Sequence, residues 1–239
     1  DQEEAARLIS KYDITCIPVI DSTKQVLGII TVDDIFDVVE EEATEDIHKM
    51  AAMSPLEGSY VESSIKSIVK SRLPWLLILM ISATFTGTII SNNQEMLVLL
   101  PSLAIFIPML MDTAGNAGSQ ASAMVIRGLI VDDMSVRDFF RILFKETKVS
   151  MLLGTVLFLI NTLRIGFLMP EVGWGIALMV SLTVFITIIL ANLAGGSLPL
   201  LAIVLKQDPA SMAAPLITTL VDALSLSAYF LIASLFLNL

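Results

Sequence analysis

Two carboxylates inside long apolar stretches are the residues of this chain best placed to do chemistry. Asp112 is the one charged residue between Met96 and Ile126, and Asp222 is the one charged residue between Pro209 and Leu239. A carboxylate in the middle of a bilayer costs about 3 kcal/mol on insertion scales, so it normally faces water or the protein interior. The two aspartates therefore predict either buried structural carboxylates or a water-lined cation site.

Further polar residues share one helical face with each aspartate. In the last stretch they recur at intervals of 4, 3 and 4 residues: Thr218, Asp222, Ser225 and Tyr229. This spacing predicts a water-facing stripe on a helix that is otherwise apolar. Pro215, which has no N–H, should also free the carbonyl of Ser211, an oxygen ligand of the kind that hard cations prefer.

The stretch around Asp112 contains ten consecutive small or carboxamide-bearing residues, from Ala114 to Ala123. Such a run is typical of a close helix-packing seam. A seam does not require Asn116, Ser119 or Gln120, which are better suited to water. We therefore expect Asp112 and Ser119 to line a pore, with Ser225 on the other helix, while the packing interpretation stays open.

Composition sets the solvent in which these residues must work. The chain has 239 residues, 55% of them hydrophobic and 16% charged, and its mean hydropathy is +0.82. These values indicate a membrane protein. The predicted fold is mainly α, with five membrane-spanning helices in a domain of residues 73–239. The predicted spans cover residues 73–92, 97–126, 148–168, 174–205 and 212–237.

Almost all basic residues close to the predicted spans lie on one side. Nine bases lie just before the first span, between the second and third or between the fourth and fifth, whereas Arg164 alone lies on the other side. The positive-inside rule then predicts a cytoplasmic amino terminus, an extracellular carboxyl terminus and a location in the cell membrane. Ser135 to Lys145 has the pattern of a short amphipathic helix on the inner surface.

The amino-terminal region has a different composition. Residues 1–62 hold 15 of the 24 acids and only 4 of the 14 bases, which argues against nucleic acid as a partner and favours cations. The pattern predicts an α-β-β-α module over residues 1–43 and a connecting helix over residues 44–72. The chain begins with Asp1, so we expect it to be a piece of a longer protein.

Residues Leu8 to Val39 resemble the second half of a CBS domain. The resemblance rests on Ile17-Pro-Val-Ile-Asp21 and on Gly28-Ile-Ile-Thr-Val-Asp-Asp-Ile-Phe36. It implies an α/β module whose nucleotide pocket is incomplete, so that ATP would bind only to the complete CBS pair.

The whole chain is similar to the MgtE magnesium channels. Its Gly115-Asn-Ala-Gly-Ser-Gln120 resembles that family's second-span signature, and Pro215-Leu-Ile-Thr-Thr-Leu-Val-Asp222 its fifth-span ion-binding segment. The resemblance implies a homodimer with one pore lined by spans two and five. Asp222 would hold hydrated Mg²⁺ directly or through water, and Gly115, Asn116 and Thr218 would contact its hydration shell. Transport of Mn²⁺, Co²⁺ or Ni²⁺ stays open.

The same resemblance implies feedback by cytoplasmic Mg²⁺ on the acidic region. The residues that would bind this regulatory ion are Glu41, Glu42, Glu45 and Asp46. A solvated helix face is the alternative interpretation of such an acidic run. His48, the only histidine, is assigned no role.

Three other functions compete with a channel. A Na⁺- or H⁺-coupled secondary transporter of a divalent cation would use the same carboxylates. A membrane-anchored sensor would not need the polar stripes, and an intramembrane aspartyl protease would need a Gly-x-Gly-Asp element that the sequence lacks. We therefore expect a transport protein and not an enzyme.

Overall fold

The computed structural model describes residues 2–56, 58–132, 134–212 and 214–237, and these are mainly helical. Asp1 and the last two residues of the predicted transmembrane domain lie outside the described residues. Clustering of the backbone separates two compact units. The amino-terminal unit comprises Asp1–Lys49 and Met53–Ser71, and the second unit comprises Met50–Ala52 and Arg72–Leu239.

The predicted α-β-β-α order of the amino-terminal unit is confirmed. Helix α1 (Gln2–Tyr12) is followed by an antiparallel pair of strands, β1 (Cys16–Ile20) and β2 (Val26–Thr31), with Cys16 opposite Thr31. The connecting turn is closed by Asp21, whose carboxylate accepts hydrogen bonds from the Thr23 hydroxyl at 2.7 Å and the Gln25 N–H at 2.9 Å. These hydrogen bonds, led by that of Thr23, lower the pKa of Asp21.

Helix α2 (Val32–Met50) begins at an acidic cap. The Asp34 carboxylate accepts hydrogen bonds from the hydroxyl and the backbone N–H of Thr31, at 2.6 and 3.0 Å. The same two bonds lower the pKa of Asp34, the hydroxyl contributing most. The helix then continues without a break across residues 43 and 44, so the acidic run lies on the same helix as the end of the α/β module.

With the exception of one six-residue helix, the remaining helices are longer and more apolar. Their bounds are α3 (Ile65–Asn92), the short α4 (Gln94–Leu99), α5 (Ser102–Val131), α6 (Phe139–Leu168), α7 (Trp174–Val204) and α8 (Ala214–Leu237). Among the described residues, four segments are long and apolar enough to cross a membrane: Ile65–Asn92, Val136–Leu168, Trp174–Val204 and Pro215–Leu237. The remaining predicted span, the second along the chain, corresponds to α5. Its 30 residues are long enough to cross a membrane, but its small and polar residues lower its mean hydropathy.

Some predicted helix limits were wrong. The second span does not start at residue 97, because Pro101 has no N–H to continue α4 and a new helix begins at Ser102. The third span starts before residue 148. No separate amphipathic helix covers residues 135–145. Instead, a 3₁₀ turn at Val136–Asp138 leads directly into α6, since no glycine or proline interrupts the residues that follow.

Helix α7 is the centre of the second unit and packs against α5, α6 and α8. In the apolar stretch of 18 residues that characterises each span, 56% of α7 is buried inside the protein but only 6% of α3. Apolar side chains from all four packed helices form the main core, including Phe106, Ile165, Met179 and Phe230. Tyr229 is fully buried in this core, and its hydroxyl donates a hydrogen bond to the carbonyl oxygen of Leu103 at 2.9 Å.

Helices α5, α7 and α8 pack closely at glycine residues, which have no side chain to keep the backbones apart. A Cβ atom added to Gly195 would overlap the carbonyl oxygen of Gly118. One added to Gly118 would lie 2.9 Å from Cγ2 of Ile217 and 3.1 Å from the carbonyl oxygen of Ala191. The predicted packing seam is therefore present at these positions, and it lets the three helix backbones approach closely.

We expect Gly195→Ala to lower the free energy of unfolding by about 1–3 kcal/mol or more, because the methyl group overlaps a backbone atom that cannot rotate away. Gly175→Ala is the matched control on α7, since its Cβ would find its nearest neighbour, Cε1 of Phe236, 3.8 Å away. That control should be neutral or stabilising by up to about 1 kcal/mol. The measurement is Tm in detergent, and equal Tm values for the two variants would contradict the close crossing.

Candidate functional site

Asp222 and Thr218 lie on α8 directly opposite Gly115 of α5. A Cβ atom at Gly115 would be 3.2 Å from Cγ2 of Thr218 and 3.8 Å from Oδ1 of Asp222. Gly115 is buried, while Thr218 and Asp222 are each half-buried. The absence of a side chain at Gly115 thus brings the α5 backbone next to the carboxylate. Three of the predicted ion-contacting residues are brought together in this way.

The neighbouring face of α5 is polar and exposed. Asp112, Asn116 and Gln120 follow one another at intervals of four residues and are all exposed, and Ser119 is half-buried. An exposed carboxylate and two carboxamides cannot face lipid at low cost. This face therefore needs water or another protein surface against it.

The predicted polar stripe on α8 is half-buried as far as Asp222 and fully buried beyond it. Ser225 is 1% exposed, its hydroxyl oxygen has no hydrogen-bond partner among the described residues, and Tyr229 is fully buried. Both side chains are buried in the helix bundle. The expectation that Ser225 and Tyr229 face water does not fit this burial, because neighbouring helices cover this part of α8, as the hydrogen bond from Tyr229 to Leu103 of α5 shows.

The start of α8 also differs from the expectation. Pro215 lies in the first turn of this helix, where its missing N–H has no intrahelical partner to lose. The argument that it frees the Ser211 carbonyl from a helix therefore does not apply, since Ser211 belongs to a separate 3₁₀ turn. The Pro215 carbonyl oxygen accepts hydrogen bonds from the hydroxyls of Thr218 at 3.0 Å and Thr219 at 2.9 Å. The Thr218 hydroxyl proton is thus turned toward its own helix, which leaves its oxygen lone pairs for another donor.

The acidic run on α2 is described within the amino-terminal unit alone. A cavity of about 720 Å³ there is lined by Glu41 and Glu45, together with Asp37 and Glu40. Glu42 and Asp46 do not line it. Glu45 forms an ion pair with Lys49 on the next turn. Within the described part of the chain, no three acidic, histidine or cysteine side chains are placed to hold one metal ion.

Sequence reasoning missed part of the polar interior. His48 lines the same cavity, and its Nδ1 atom is buried without a hydrogen-bond partner among the described residues. On α7, Asn192 is 3% exposed and its side-chain oxygen is likewise without a partner in the described part. The signal for Asn192 was a single carboxamide in an otherwise apolar span, next to the Ala191 carbonyl that backs Gly118.

The sequence matches known protein families in two regions. Residues 107–232 match the MgtE family of divalent cation transporters, and residues 1–41 match the CBS domain. Three curated relatives, each named magnesium transporter MgtE, match the chain throughout. They come from Thermus thermophilus (37% identical over 243 residues), Bacillus subtilis (39% over 240) and Enterococcus faecalis (37% over 238).

The chain spans about half the length of these curated relatives, 52%, 52% and 51% respectively. The family match covers α5 from Ile107, all of α6 and α7, and α8 to Ile232. It therefore includes both helices that carry Gly115, Asn116, Thr218 and Asp222. From this match, we conclude that the chain belongs to the MgtE family of divalent cation transporters.

Proposed function

We propose that this chain carries hydrated Mg²⁺ across the cell membrane through a pore between the α5 and α8 surfaces of two subunits. The observation that carries the proposal is the exposure of Asp112 and Asn116 beside the half-buried Asp222 on membrane-spanning helices. Lipid is an unfavourable neighbour for that surface, and a water-filled path is a favourable one. The three relatives are magnesium transporters by name, which supports the choice of ion.

The chemistry of the surface suits an ion that keeps its water. Mg²⁺ loses its hydration shell reluctantly and is usually bound through one or two carboxylates. Asp222 supplies the carboxylate directly or through water. The Asn116 amide, the Thr218 hydroxyl and the backbone at Gly115 would hydrogen-bond to the hydration shell. The same groups would accept Mn²⁺, Co²⁺ or Ni²⁺ wherever hydration is retained.

A homodimer would supply two Asp222 carboxylates to one ion path, although each subunit has only one. Pairing two copies about a two-fold axis through this surface would place two Asp222 carboxylates on one path. Their mutual repulsion would be relieved by a divalent cation between them. The orientation that accompanies this proposal is a cytoplasmic amino terminus and an extracellular carboxyl terminus, as the distribution of basic residues indicates.

We expect Asp222→Ala and Asp222→Asn to reduce Mg²⁺ uptake into proteoliposomes about tenfold or more. The loss of one charged hydrogen-bonding partner is worth about 1.5–3 kcal/mol, and 1.4 kcal/mol corresponds to tenfold. Glu171→Gln is the control, because this exposed acid lies in the loop between α6 and α7 and its loss changes the net charge equally. Unchanged uptake in Asp222→Ala, with protein correctly inserted, would refute the proposed pathway.

The type of transport is tested in the same preparation. A channel gives unitary current steps that depend on the Mg²⁺ gradient alone. A secondary transporter instead moves Na⁺ or H⁺ with Mg²⁺ in a fixed ratio. The exposed polar surface favours a continuous path of water and hence a channel, so we expect current without stoichiometric coupling.

Feedback by cytoplasmic Mg²⁺ is the second part of the proposal. Glu41 and Glu45 line a polar cavity of the amino-terminal unit with two further acids of α2. Since the described part of the chain has no three-ligand cluster, a regulatory Mg²⁺ would be held by one or two carboxylates and its own water. Occupancy of this site would reduce transport. ATP would act only where the complete CBS pair is present.

Neutralising the two sides of α2 separately tests this feedback. We expect Glu41→Gln with Glu45→Gln to raise, several-fold, the Mg²⁺ concentration that half-inhibits uptake. The matched control, Glu42→Gln with Asp46→Asn, removes the same charge from residues outside the cavity and should leave inhibition nearly unchanged. Equal shifts in both double variants would mean that overall charge, and not a cavity site, sets the response.

A further inference from the structure

Arg164 is an isolated positive charge on a membrane-spanning helix. It is the only basic residue between Lys148 and Lys206, and its side chain is exposed. It precedes the end of α6 at Leu168 by four residues, which is about 6 Å along a helix. The described residues offer it no ion pair. Its charge therefore lies within reach of the lipid headgroups and is not neutralised by the protein.

Hydrogen bonds hold the guanidinium in place. Asn161 is almost fully buried, and its Nδ2 donates to the hydroxyl of Ser181 on α7 at 3.0 Å. Its Oδ1 accepts from Nε and Nη2 of Arg164 at 3.2 and 2.8 Å. Nη2 also donates to the sulfur of Met109 on α5 at 2.8 Å. Of the five N–H donors of arginine, the two on Nη1 have no partner among the described residues.

The fixed guanidinium lies at one end of a groove between α5, α6 and α7. The groove has a volume of about 170 Å³. Met109 and Thr113 of α5, Leu157 and Ile160 of α6 and Val184 of α7 form its sides. The lining is mostly apolar, with polar groups concentrated near Arg164. A ligand that fits must therefore carry both a hydrocarbon segment and a negative charge.

We infer that this groove binds an anionic phospholipid, with the phosphate on Nη1 of Arg164 and an acyl chain against Leu157, Ile160 and Val184. Charge complementarity selects the anion, because the two N–H groups of Nη1 belong to a cationic guanidinium and can donate charge-assisted hydrogen bonds to phosphate oxygens. Leu157, Ile160 and Val184 lie on α6 and α7, which are long and apolar enough to cross a membrane, so this lining selects a lipid over free phosphate. Because the groove includes Met109 and Thr113, the lipid touches the turn of α5 that carries Asp112.

Lipid-dependent stabilisation tests the inference on the full chain. The protein is placed in nanodiscs of phosphatidylcholine with and without phosphatidylglycerol, and Tm is measured. We expect phosphatidylglycerol to raise Tm of the unaltered chain and Arg164→Gln to lose at least half of that rise. Arg164→Lys should keep more of the rise than Arg164→Gln but not all of it, since lysine retains the charge and loses the two guanidinium hydrogen bonds to Asn161. Arg141→Gln, on α6 but outside the groove, removes the same charge and should keep the full rise.

A second variant tests the groove without removing the charge of Arg164. Ile160→Trp narrows the groove and keeps Arg164, so it should also weaken the response to phosphatidylglycerol. Native mass spectrometry of the same samples reports retained lipid and subunit number together. Inorganic phosphate should give no rise in Tm. Three results would each overturn the inference. The first is an equal lipid-dependent rise in Tm in the unaltered chain and in Arg164→Gln, and the second is the same rise with inorganic phosphate. The third is a change of subunit number without loss of lipid.

Discussion

Close contact between helix backbones at glycine determines where the side chains of the candidate site lie. Gly118 of α5 lies against Gly195 of α7 and Ile217 of α8, and Gly115 lies against Thr218 and Asp222. Because these contacts leave no room for a methyl group at Gly118 or Gly195, the three helices have one favourable spacing. That spacing brings the Asp222 carboxylate beside the backbone of α5. It also fixes the position of side chains on one helix relative to side chains on the neighbouring helix.

The buried and exposed faces of α5 perform different tasks. Gly115 and Gly118 face inward and allow the close contact, while Asp112 and Asn116 face outward and keep polar groups on the surface. The packing interpretation of the small-residue run therefore holds for one face of α5, and the other face, which is polar and exposed, is the one proposed to meet water. A membrane penalises the polar face unless water or a second subunit covers it, which is the basis for the proposed pore.

Much of the fold follows from patterns in the sequence, but the orientation of single side chains does not. The α-β-β-α order and the apolar helices were predictable because hydrophobic periodicity and capping residues such as Thr31 act locally. The break at Pro101 and the early start of α6 show that helix limits depend on residues flanking the apolar core of a span. The spacing of Ser225 and Asp222 predicts one shared exposed surface, because both residues lie on one helical face. The burial of Ser225 depends on how α8 packs against its neighbours, and spacing along one helix contains no information about that.

The central claim is that Asn116 faces water while comparably exposed apolar residues face lipid. Cysteine accessibility in membranes measures this directly, after replacement of the single native Cys16 by serine. With a charged, water-soluble thiol reagent, we expect cysteine at position 116 to react and Mg²⁺ to slow that reaction. Cysteine at position 152, where Leu152 is 69% exposed on α6, should remain unmodified, as should cysteine at the buried position 225. If position 116 reacted no faster than position 152, the polar face of α5 would not border water, and the account of transport would be wrong.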